Sequence, residues 1–149
     1  MTNKIADGGE VPSFRLDGRL AIITGASEGI GWTLARAFAR SGASLLLAAR
    51  REERLKELAG LIEAEGGQAS TLVTDVTRIS DLQRLGEKAA ELSADGEMPM
   101  VLVNNAGFGF TKLVEDIGEE DWDRLIDTHM KGTFFACQQI GRTMVERDM

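Results

Sequence analysis

The feature that most constrains the fold is a regular alternation of short apolar runs with longer amphipathic stretches, which begins at residue 20. The short runs predict four strands, at residues 20–24, 44–49, 69–75 and 100–104. Strands that alternate with helical patterns are typical of repeated βαβ units, and such units build a parallel sheet. The sequence therefore predicts an α/β fold in which helices cover both faces of the sheet.

Between the strands, apolar residues recur every three or four positions, which predicts amphipathic helices. The three stripes are Ile30, Leu34, Ala37, Phe38 and Ser41, then Leu55, Leu58, Ala59 and Ile62, then Leu82, Leu85, Ala89 and Leu92. A fourth, long helix is predicted to begin after Gly118, where three acidic residues complement the positive end of the helix dipole. The face of this helix that is predicted to turn toward the protein carries Trp122, Ile126, His129, Thr133 and Ile140.

Right-handed crossovers place the four strands in the order 3-2-1-4. This order is the first half of a doubly wound, Rossmann-type parallel sheet, with the later strands absent. The fourth strand then lies at an edge, where its outer backbone groups have no partner. We expect missing sequence or a partner chain to complete the sheet.

Composition and charge exclude several classes of function. A formal net charge of −7 argues against a nucleic-acid partner, because binding to a phosphate backbone depends on clustered Lys and Arg. The longest apolar run, residues 45–49, is too short to cross a membrane, and residues 1–14 contain no apolar signal region, so we expect a cytoplasmic protein. The single cysteine, Cys137, excludes an internal disulfide and a cysteine-based metal site, and its apolar surroundings predict a buried thiol.

The clearest candidate binding site is the glycine-rich segment Thr-Gly-Ala-Ser-Glu-Gly-Ile-Gly at residues 24–31, which links the first strand to the first helix. Gly25 permits a tight turn, Gly29 lets the backbone approach a pyrophosphate, and Gly31 lets helix and strand pack closely. The helix N-terminus faces the phosphate charge. The alternative is a glycine-rich turn that binds nothing. The residues predicted to contact a nucleotide here are Gly25, Ser27, Glu28, Gly29, Ile30 and Gly31.

The spacing Thr-Gly-x-x-x-Gly-Ile-Gly resembles the nucleotide-binding motif of the short-chain dehydrogenase/reductase family. A second motif supports this, because Asn104, Asn105, Ala106 and Gly107 follow the fourth strand, where that family carries the same four residues. The resemblance spans residue 17 to the C-terminus. It implies that Asn104, Ala106 and Gly107 contact the cofactor. Such clusters also mark ordinary turns, but ligands bind parallel sheets at the carboxyl edge of the strands, which favours the functional interpretation.

The end of the second strand predicts which nucleotide binds. Arg50 and Arg51 follow two alanines there, and no carboxylate is present. A carboxylate would bond the free ribose 2′-hydroxyl of NAD(H) and repel a 2′-phosphate, whereas an arginine fork binds phosphate oxygens. NADP(H) is therefore favoured, with NAD(H) as the less favoured cofactor. Glu28 opposes this preference through its charge, and the two arginines alternatively form a solvated helix start.

Two further positions acquire roles only from the resemblance. Asp75 and Val76, which end the third strand, are implied to meet the adenine ring, although Asp75 is otherwise a turn residue or helix cap. His129 stands where the family carries the Asn of an Asn-x-x-Gly pattern, and that Asn holds a water in the proton relay. A neutral imidazole both donates and accepts, so His129 either replaces the Asn or packs against its neighbours.

The resemblance also implies chemistry that the chain lacks. Family members exchange hydride between a nicotinamide and a carbonyl or alcohol, with a Tyr as general acid and base, a Lys four residues later and a Ser that orients the substrate. The sequence contains no tyrosine, and we expect all three residues to lie beyond residue 149. A positioned proton donor contributes about 100- to 10,000-fold in rate, so the chain alone is expected to be nearly inactive. No catalytic residue is assigned.

These features together predict a flexible leader at residues 1–16 and a C-terminally truncated, Rossmann-type NADP(H)-binding domain at residues 17–149. The expected function is that of an NADP(H)-dependent oxidoreductase acting on a small-molecule carbonyl or alcohol. The alternatives are a non-catalytic NADP(H)-binding module, a partner of a full-length relative, and a fragment that neither binds nor folds well alone. Family members commonly form tetramers through the fourth helix and its successor, so a full-length chain is expected to be a homo-oligomer.

Overall fold

The computed structural model describes residues 14–93 and 100–146, in which four strands alternate with helices. The strands are β1 (Leu20–Thr24), β2 (Ser44–Ala49), β3 (Gln68–Val73) and β4 (Met100–Val103). The helices are α1 (Gly29–Arg40), α2 (Glu52–Ala64), α3 (Ile79–Leu92), α4 (Glu119–Ile126) and α5 (Gly132–Glu146). A 3₁₀ turn at Val114–Asp116 precedes α4, and a π-helical turn at Asp127–Lys131 joins α4 to α5.

All four strands are parallel and lie in the order β3-β2-β1-β4, so the predicted fold class and strand order are confirmed. Leu20 at the start of β1 is level with Ser44 in β2 and with Met100 in β4. The carboxyl ends of the strands therefore meet at one edge of the sheet. In parallel sheets this edge is where ligands bind.

The sheet separates two hydrophobic cores. Ala21 and Ile23 of β1 pack on the face covered by α1 and α2, while Leu20 and Ile22 pack on the face covered by α3 and α5. Burial of one Leu or Ile side chain stabilises the fold by about 1.5–3 kcal/mol. Strands β1 and β2 are buried along nearly their whole length, whereas the last three residues of β4 are only partly buried. The described part of the sheet is thus most deeply buried at its central strands.

The inward face of α1 differs from the predicted one. Gly31 and Ala35 are its buried residues. Ile30 is 73% exposed and Ala37 is also exposed, so the predicted stripe is wrong at both positions. The helix approaches the sheet through its small residues, and this contact turns Ile30 toward the carboxyl edge of the sheet.

The predicted long fourth helix is two helices joined by the π-helical turn. The extra residue in such a turn shifts the helix faces before and after it relative to each other. Trp122 is therefore 57% exposed, contrary to the prediction that it faces the protein. At the start of α5, a Cβ added to Gly132 would lie 2.9 Å from the Val76 carbonyl oxygen. Only a glycine lets the helix approach the end of β3 this closely.

Cys137 is exposed, contrary to the predicted buried thiol. Its neighbours Ala136 and Ile140 occupy the buried face of α5 and are each 1% exposed. One position on a helix turns a side chain by about 100°, so an apolar sequence around a residue does not place that residue in the core.

Several predictions concern residues outside the described ranges. These are the first thirteen residues of the predicted leader and the last three residues of the predicted domain, and residues 94–99 also lie outside the described ranges. Within the leader, the backbone N–H of Leu16 donates to the Ser41 carbonyl oxygen at 2.7 Å, and Leu16 packs against the core. The division at residue 17 stays a prediction. None of the helices in the described ranges combines the length and hydrophobicity that a membrane span requires.

Candidate functional site

A cleft of about 620 Å³ opens at the carboxyl edge of the sheet. Its volume lies within the range of small-molecule and cofactor sites. The lining comes from the segments that follow the four strands and from α4 with the turn after it. It comprises Gly25, Ser27, Glu28, Gly29, Ile30, Ala49, Arg50, Arg51, Thr74, Asp75, Val76, Thr77, Asn105, Ala106, Gly107, Phe108, Arg124 and Thr128. All the predicted site residues except Gly31 and Asn104 therefore line a single cleft.

The turn after β1 depends on close backbone approach. Gly25 has a φ of +67°, in the left-handed region, and a Cβ on it would lie 2.7 Å from the Ala106 Cα. A Cβ on Gly31 would lie 2.5 Å from both the Gly25 carbonyl oxygen and the Asn105 side-chain nitrogen. Gly31 thus lies behind the cleft lining. A Cβ on Gly29 would meet nothing within 4 Å, because the backbone there faces open space.

Hydrogen bonds join this turn to the segment after β4. The buried Thr24 hydroxyl donates to the Val103 carbonyl oxygen at 3.3 Å. The same oxygen accepts the backbone N–H groups of Asn105 and Ala106, each at 3.1 Å. The Asn105 side-chain amide donates to the carbonyl oxygens of Thr24 at 3.0 Å and Gly25 at 3.2 Å. The two motifs found in the sequence therefore form one connected unit.

Helix α1 starts at the cleft and leaves its first backbone donors available. Its N-cap residue, Glu28, makes no side-chain capping hydrogen bond, and no acidic residue lies in the first turn. Unpaired N–H groups and the positive end of the helix dipole both favour an anion. The start of α1 is therefore suited to bind a phosphate group.

The two arginines after β2 have different surroundings. The Arg51 guanidinium lies 2.9 Å from a Glu28 carboxylate oxygen. It also donates to the Ser27 hydroxyl oxygen, at 3.0 Å from Nη2 and 3.3 Å from Nε. Arg50 lines the same cleft, and no hydrogen bond or ion pair joins its side chain to the described part of the chain. Of these two guanidinium groups, that of Arg51 is held by an acid and that of Arg50 is free for a ligand.

The segment after β3 is an ordered turn. A carboxylate oxygen of Asp75 accepts the backbone N–H of Thr77 at 3.0 Å and its hydroxyl at 2.8 Å. The Asp75 backbone N–H donates to a carboxylate oxygen of Asp81 at 2.9 Å. This hydrogen bond, followed by the one from Arg84, lowers the pKa of Asp81. Asp75 and Val76 both lie at the cleft, and Asp75 makes the turn contacts of the alternative interpretation as well.

Some residues of the segment after β4 line the cleft, and others contact α5 or the π-helical turn before it. The Asn104 amide donates to the Cys137 sulfur at 3.3 Å, and Asn104 does not line the cleft. A Cβ on Gly107 would lie 2.6 Å from His129 Cε1. His129 Nε2 lies 2.8 Å from the backbone oxygen and 3.2 Å from the backbone nitrogen of Phe108. The imidazole therefore anchors this segment, and a water-holding role for it stays a prediction.

Sequence reasoning missed several residues of the lining. Phe108, Arg124 and Thr128 belong to no recognised motif, and they meet only because α4 folds back over the segment after β4. The Arg124 guanidinium carbon lies 4.3 Å from the centroid of the Phe108 ring. Thr74 and Thr77 flank the predicted Asp75, and their proximity to it along the chain was the one signal that could have found them.

The relatives of this chain identify its family. The model of the short chain dehydrogenase family matches residues 19–149. The chain belongs to this family. The resemblance inferred from the two motifs is thus confirmed. The match covers both motifs, at residues 24–31 and 104–107.

Individual relatives support the same assignment. The chain is 40% identical over 134 residues to gluconate 5-dehydrogenase of Gluconobacter oxydans (strain 621H), which covers 90% of this chain and 51% of that protein. The solved gluconate 5-dehydrogenase from Burkholderia cenocepacia J2315, in complex with NADP and tartrate, superposes with a TM-score of 0.80 at 36% identity, covering 91% of this chain and 52% of that one.

A third similar protein is the alcohol dehydrogenase from the archaeon Thermococcus sibiricus complexed with 5-hydroxy-NADP. It superposes with a TM-score of 0.80 at 32% identity, covering 87% of this chain and 54% of that one. This short-chain dehydrogenase chain spans about half the length of the curated relatives that it matches.

Proposed function

We propose that the chain binds NADP(H) in the cleft and serves as the cofactor-binding part of an oxidoreductase acting on a small-molecule carbonyl or alcohol. The observation that carries the proposal is the meeting, in one cleft, of an uncapped helix N-terminus and an arginine free of partners among the described residues. NADP(H) carries negative charge at its pyrophosphate and at its 2′-phosphate. The helix N-terminus is suited to the pyrophosphate, and the arginine is suited to the 2′-phosphate.

The residues of the cleft fit a bound dinucleotide phosphate. Open space beside Gly29 leaves room for a pyrophosphate against the first turn of α1. Arg50 would hold the 2′-phosphate through charge-assisted hydrogen bonds. Asp75 and Val76 would lie beside the adenine, as the family resemblance implies. No carboxylate follows β2 to repel a phosphate, and the acid in this region, Glu28, is already paired with an arginine.

The nicotinamide end is assigned to the segment after β4. Ala106 and Gly107 line the cleft there, and Gly107 is backed by the His129 ring. When bound, the nicotinamide supplies the hydride that the family exchanges with its substrates. The chain contains no tyrosine, so the proton donor of the family mechanism has no counterpart within it. We therefore expect cofactor binding with very slow turnover from this chain alone.

The solved relatives support NADP(H) over NAD(H). Two of them contain NADP or 5-hydroxy-NADP and share this fold at a TM-score of 0.80. A non-catalytic NADP(H)-binding module is the second candidate function, because the described chain builds a nucleotide cleft but carries no tyrosine. The two candidates differ in turnover and agree in binding.

The proposal is tested by titrating the purified chain with NADPH and NADH while following ligand fluorescence. Arg50→Ala is expected to weaken NADPH binding by about tenfold or more, because hydrogen bonds to charged groups contribute about 1.5–3 kcal/mol. NADH binding should change by less than about twofold, because NADH lacks the 2′-phosphate. The control is Arg142→Ala, which removes the same charge from α5, outside the cleft lining.

The outcomes test the proposed cofactor and the expected near inactivity. Saturable NADPH binding that is weakened in Arg50→Ala and unchanged in Arg142→Ala supports the proposed cofactor. Failure of a folded chain to bind either nucleotide would contradict it. Oxidation of NADPH by aldehydes or ketones at a rate typical of a complete enzyme would overturn the expectation of near inactivity.

A further inference from the structure

The Arg51 side chain is held by contacts across the cleft. One of its terminal nitrogens lies 2.9 Å from the Glu28 carboxylate and 3.0 Å from the Ser27 hydroxyl oxygen, and its Nε lies 3.3 Å from that same oxygen. Ser27 and Glu28 precede α1, whereas Arg51 is the N-cap residue of α2. All three residues line the cleft. These contacts therefore connect two neighbouring turns that both face the nucleotide site.

The ion pair of Arg51 and Glu28 lies next to Arg50 in the cleft lining. Arg50 and Arg51 are consecutive and both line the cleft, so a phosphate bound there by Arg50 lies near Arg51 once that side chain leaves Glu28. The ion pair is solvated, since the side chains of Arg51 and Glu28 are 49% and 71% exposed. Exposed ion pairs of this kind stabilise a fold only weakly. A doubly charged phosphate is therefore a stronger partner for Arg51 than the carboxylate it would replace.

We propose that Glu28 sets the cofactor selectivity of this chain by sequestering Arg51. In the complex with NAD(H) the pair of Arg51 and Glu28 stays closed, and in the complex with NADP(H) it opens so that Arg51 joins Arg50 on the 2′-phosphate. The chain then prefers NADP(H), and Glu28 limits the strength of this preference. This inference rests on the proposed binding of a dinucleotide in the cleft.

Sequestration differs from direct repulsion in a measurable way. If Glu28 acts only by repelling the phosphate, its removal strengthens NADPH binding whether or not Arg51 is present. If Glu28 acts by holding Arg51, its removal strengthens NADPH binding only when Arg51 is present to be released. A double-mutant cycle of Glu28→Gln with Arg51→Gln isolates this coupling.

The experiment measures dissociation constants for NADPH and NADH with the wild-type chain, both single variants and the double variant. Circular dichroism confirms that each is folded. Glu28→Gln is expected to strengthen NADPH binding by about threefold to fivefold, the effect of an exposed pair of up to about 1 kcal/mol, and to strengthen NADH binding by a smaller factor, because both nucleotides carry the pyrophosphate. In the Arg51→Gln background the same change should alter NADPH binding by less than about 1.5-fold.

A matched control removes one negative charge elsewhere. Glu91→Gln breaks an exposed pair with Lys88 on α3, and Glu91 does not line the cleft. This variant is expected to leave both affinities unchanged, so a gain seen with both variants would reflect net charge alone and would overturn the inference. The ionic strength is kept the same throughout, because salt screens exposed charges.

Three further results would overturn the inference: no gain of NADPH affinity in Glu28→Gln, an equal gain for NADH, or an undiminished gain in the Arg51→Gln background. Each of these leaves the proposed nucleotide site intact, because the wild-type chain still binds. Absence of any saturable binding by the folded wild-type chain would instead contradict the proposed function, and this inference with it.

Discussion

The turn after β1 and the outer face of α5 both contain glycine and apolar residues, and they differ in what surrounds those residues. At the turn, a Cβ on Gly31 would lie 2.5 Å from two polar atoms of neighbouring segments. On α5, a Cβ on Gly141 would meet nothing within 4 Å, and Phe134 and Val145 are 61% and 77% exposed. The turn is thus completed by contacts within the described chain, whereas no described residue covers the outer face of α5.

This difference indicates which region is stabilised by contacts within the described chain. The end of the cleft beside the turn after β1 is built from residues that hydrogen-bond to one another, including the Thr24 hydroxyl and the Asn105 amide. The α5 face presents apolar area to solvent, as interaction surfaces do. Substitutions that are chemically alike should therefore have unlike effects in the two regions.

The largest effect is expected for Gly31→Ala. The added methyl group would overlap the Gly25 carbonyl oxygen and the Asn105 amide, so the joined motifs must separate. We expect a loss of about 3 kcal/mol in the free energy of unfolding, at the upper end of typical overpacking effects, measured by urea denaturation.

The same substitution on α5 is the control for Gly31→Ala. Gly141→Ala is expected to stabilise the chain by about 0.5–1 kcal/mol, because alanine favours a helix over glycine and the site is open. Equal effects of the two substitutions would erase the proposed contrast between the regions.

A smaller loss is expected for Thr24→Val. The substitution leaves the backbone N–H groups of Asn105 and Ala106 without their acceptor in a buried site, which costs about 1–3 kcal/mol. Thermal denaturation should show a lowered Tm. Thr33→Val removes a hydroxyl on the exposed side of α1, where water replaces its bond to the Gly29 carbonyl oxygen. A comparable loss in both variants would show that the hydroxyl network does not stabilise the turn.

The acid dependence of stability should also differ between two carboxylates outside these regions, Asp81 on α3 and Asp121 on α4. The pKa of Asp81 is lowered by the Asp75 backbone N–H and then by Arg84, and that of Asp121 by Lys112 and then by the Gly118 N–H. A lowered folded-state pKa means that the stabilisation is present above the ordinary aspartate pKa of about 3.9 and is lost as the pH falls through the folded-state value. Asp81 is the less exposed carboxylate, with a side-chain exposure of 13% against 28% for Asp121.

Asp81→Asn is therefore expected to remove more of the acid dependence than Asp121→Asn, with a loss below about 1 kcal/mol at neutral pH. Urea denaturation of both variants at several values between pH 2 and pH 7 checks this. A larger change in acid dependence from Asp121→Asn would show that the contacts of Asp121 stabilise the fold more than those of Asp81 do.

The smallest change in stability is expected for Phe134→Ser. Its ring is exposed, so the free energy of unfolding should change by less than about 0.5 kcal/mol, while self-association measured by analytical ultracentrifugation should weaken. Phe135 is partly buried against the core beside it, and Phe135→Ser is expected to destabilise the chain more than Phe134→Ser does, though less than Gly31→Ala. Similar unfolding energies for the two variants would show that the α5 face is covered after all.

Local patterns predicted the fold accurately. The bounds of β1 and β2 agree with the apolar runs that predicted them, and β3 and β4 end one or two residues earlier than expected. Run length and periodicity record how a strand or helix is buried, so they remain readable in the sequence. The predictions for Ile30 and Trp122 were wrong because helical periodicity assumes a regular helix in a known orientation. The close contact at Gly31 sets the orientation of α1, and the π-helical turn interrupts the regular helix.

The sequence by itself determined the order of the strands, the turn after β1 and the family, because these depend on short-range spacing and on the handedness of crossovers. Only the tertiary structure decided that Asn105 joins the two motifs, that Arg124 reaches the cleft, and that Arg51 is held by Glu28 while Arg50 is free. These contacts join separate segments of the chain, and their distances follow from how the helices pack on the sheet, which no single segment specifies.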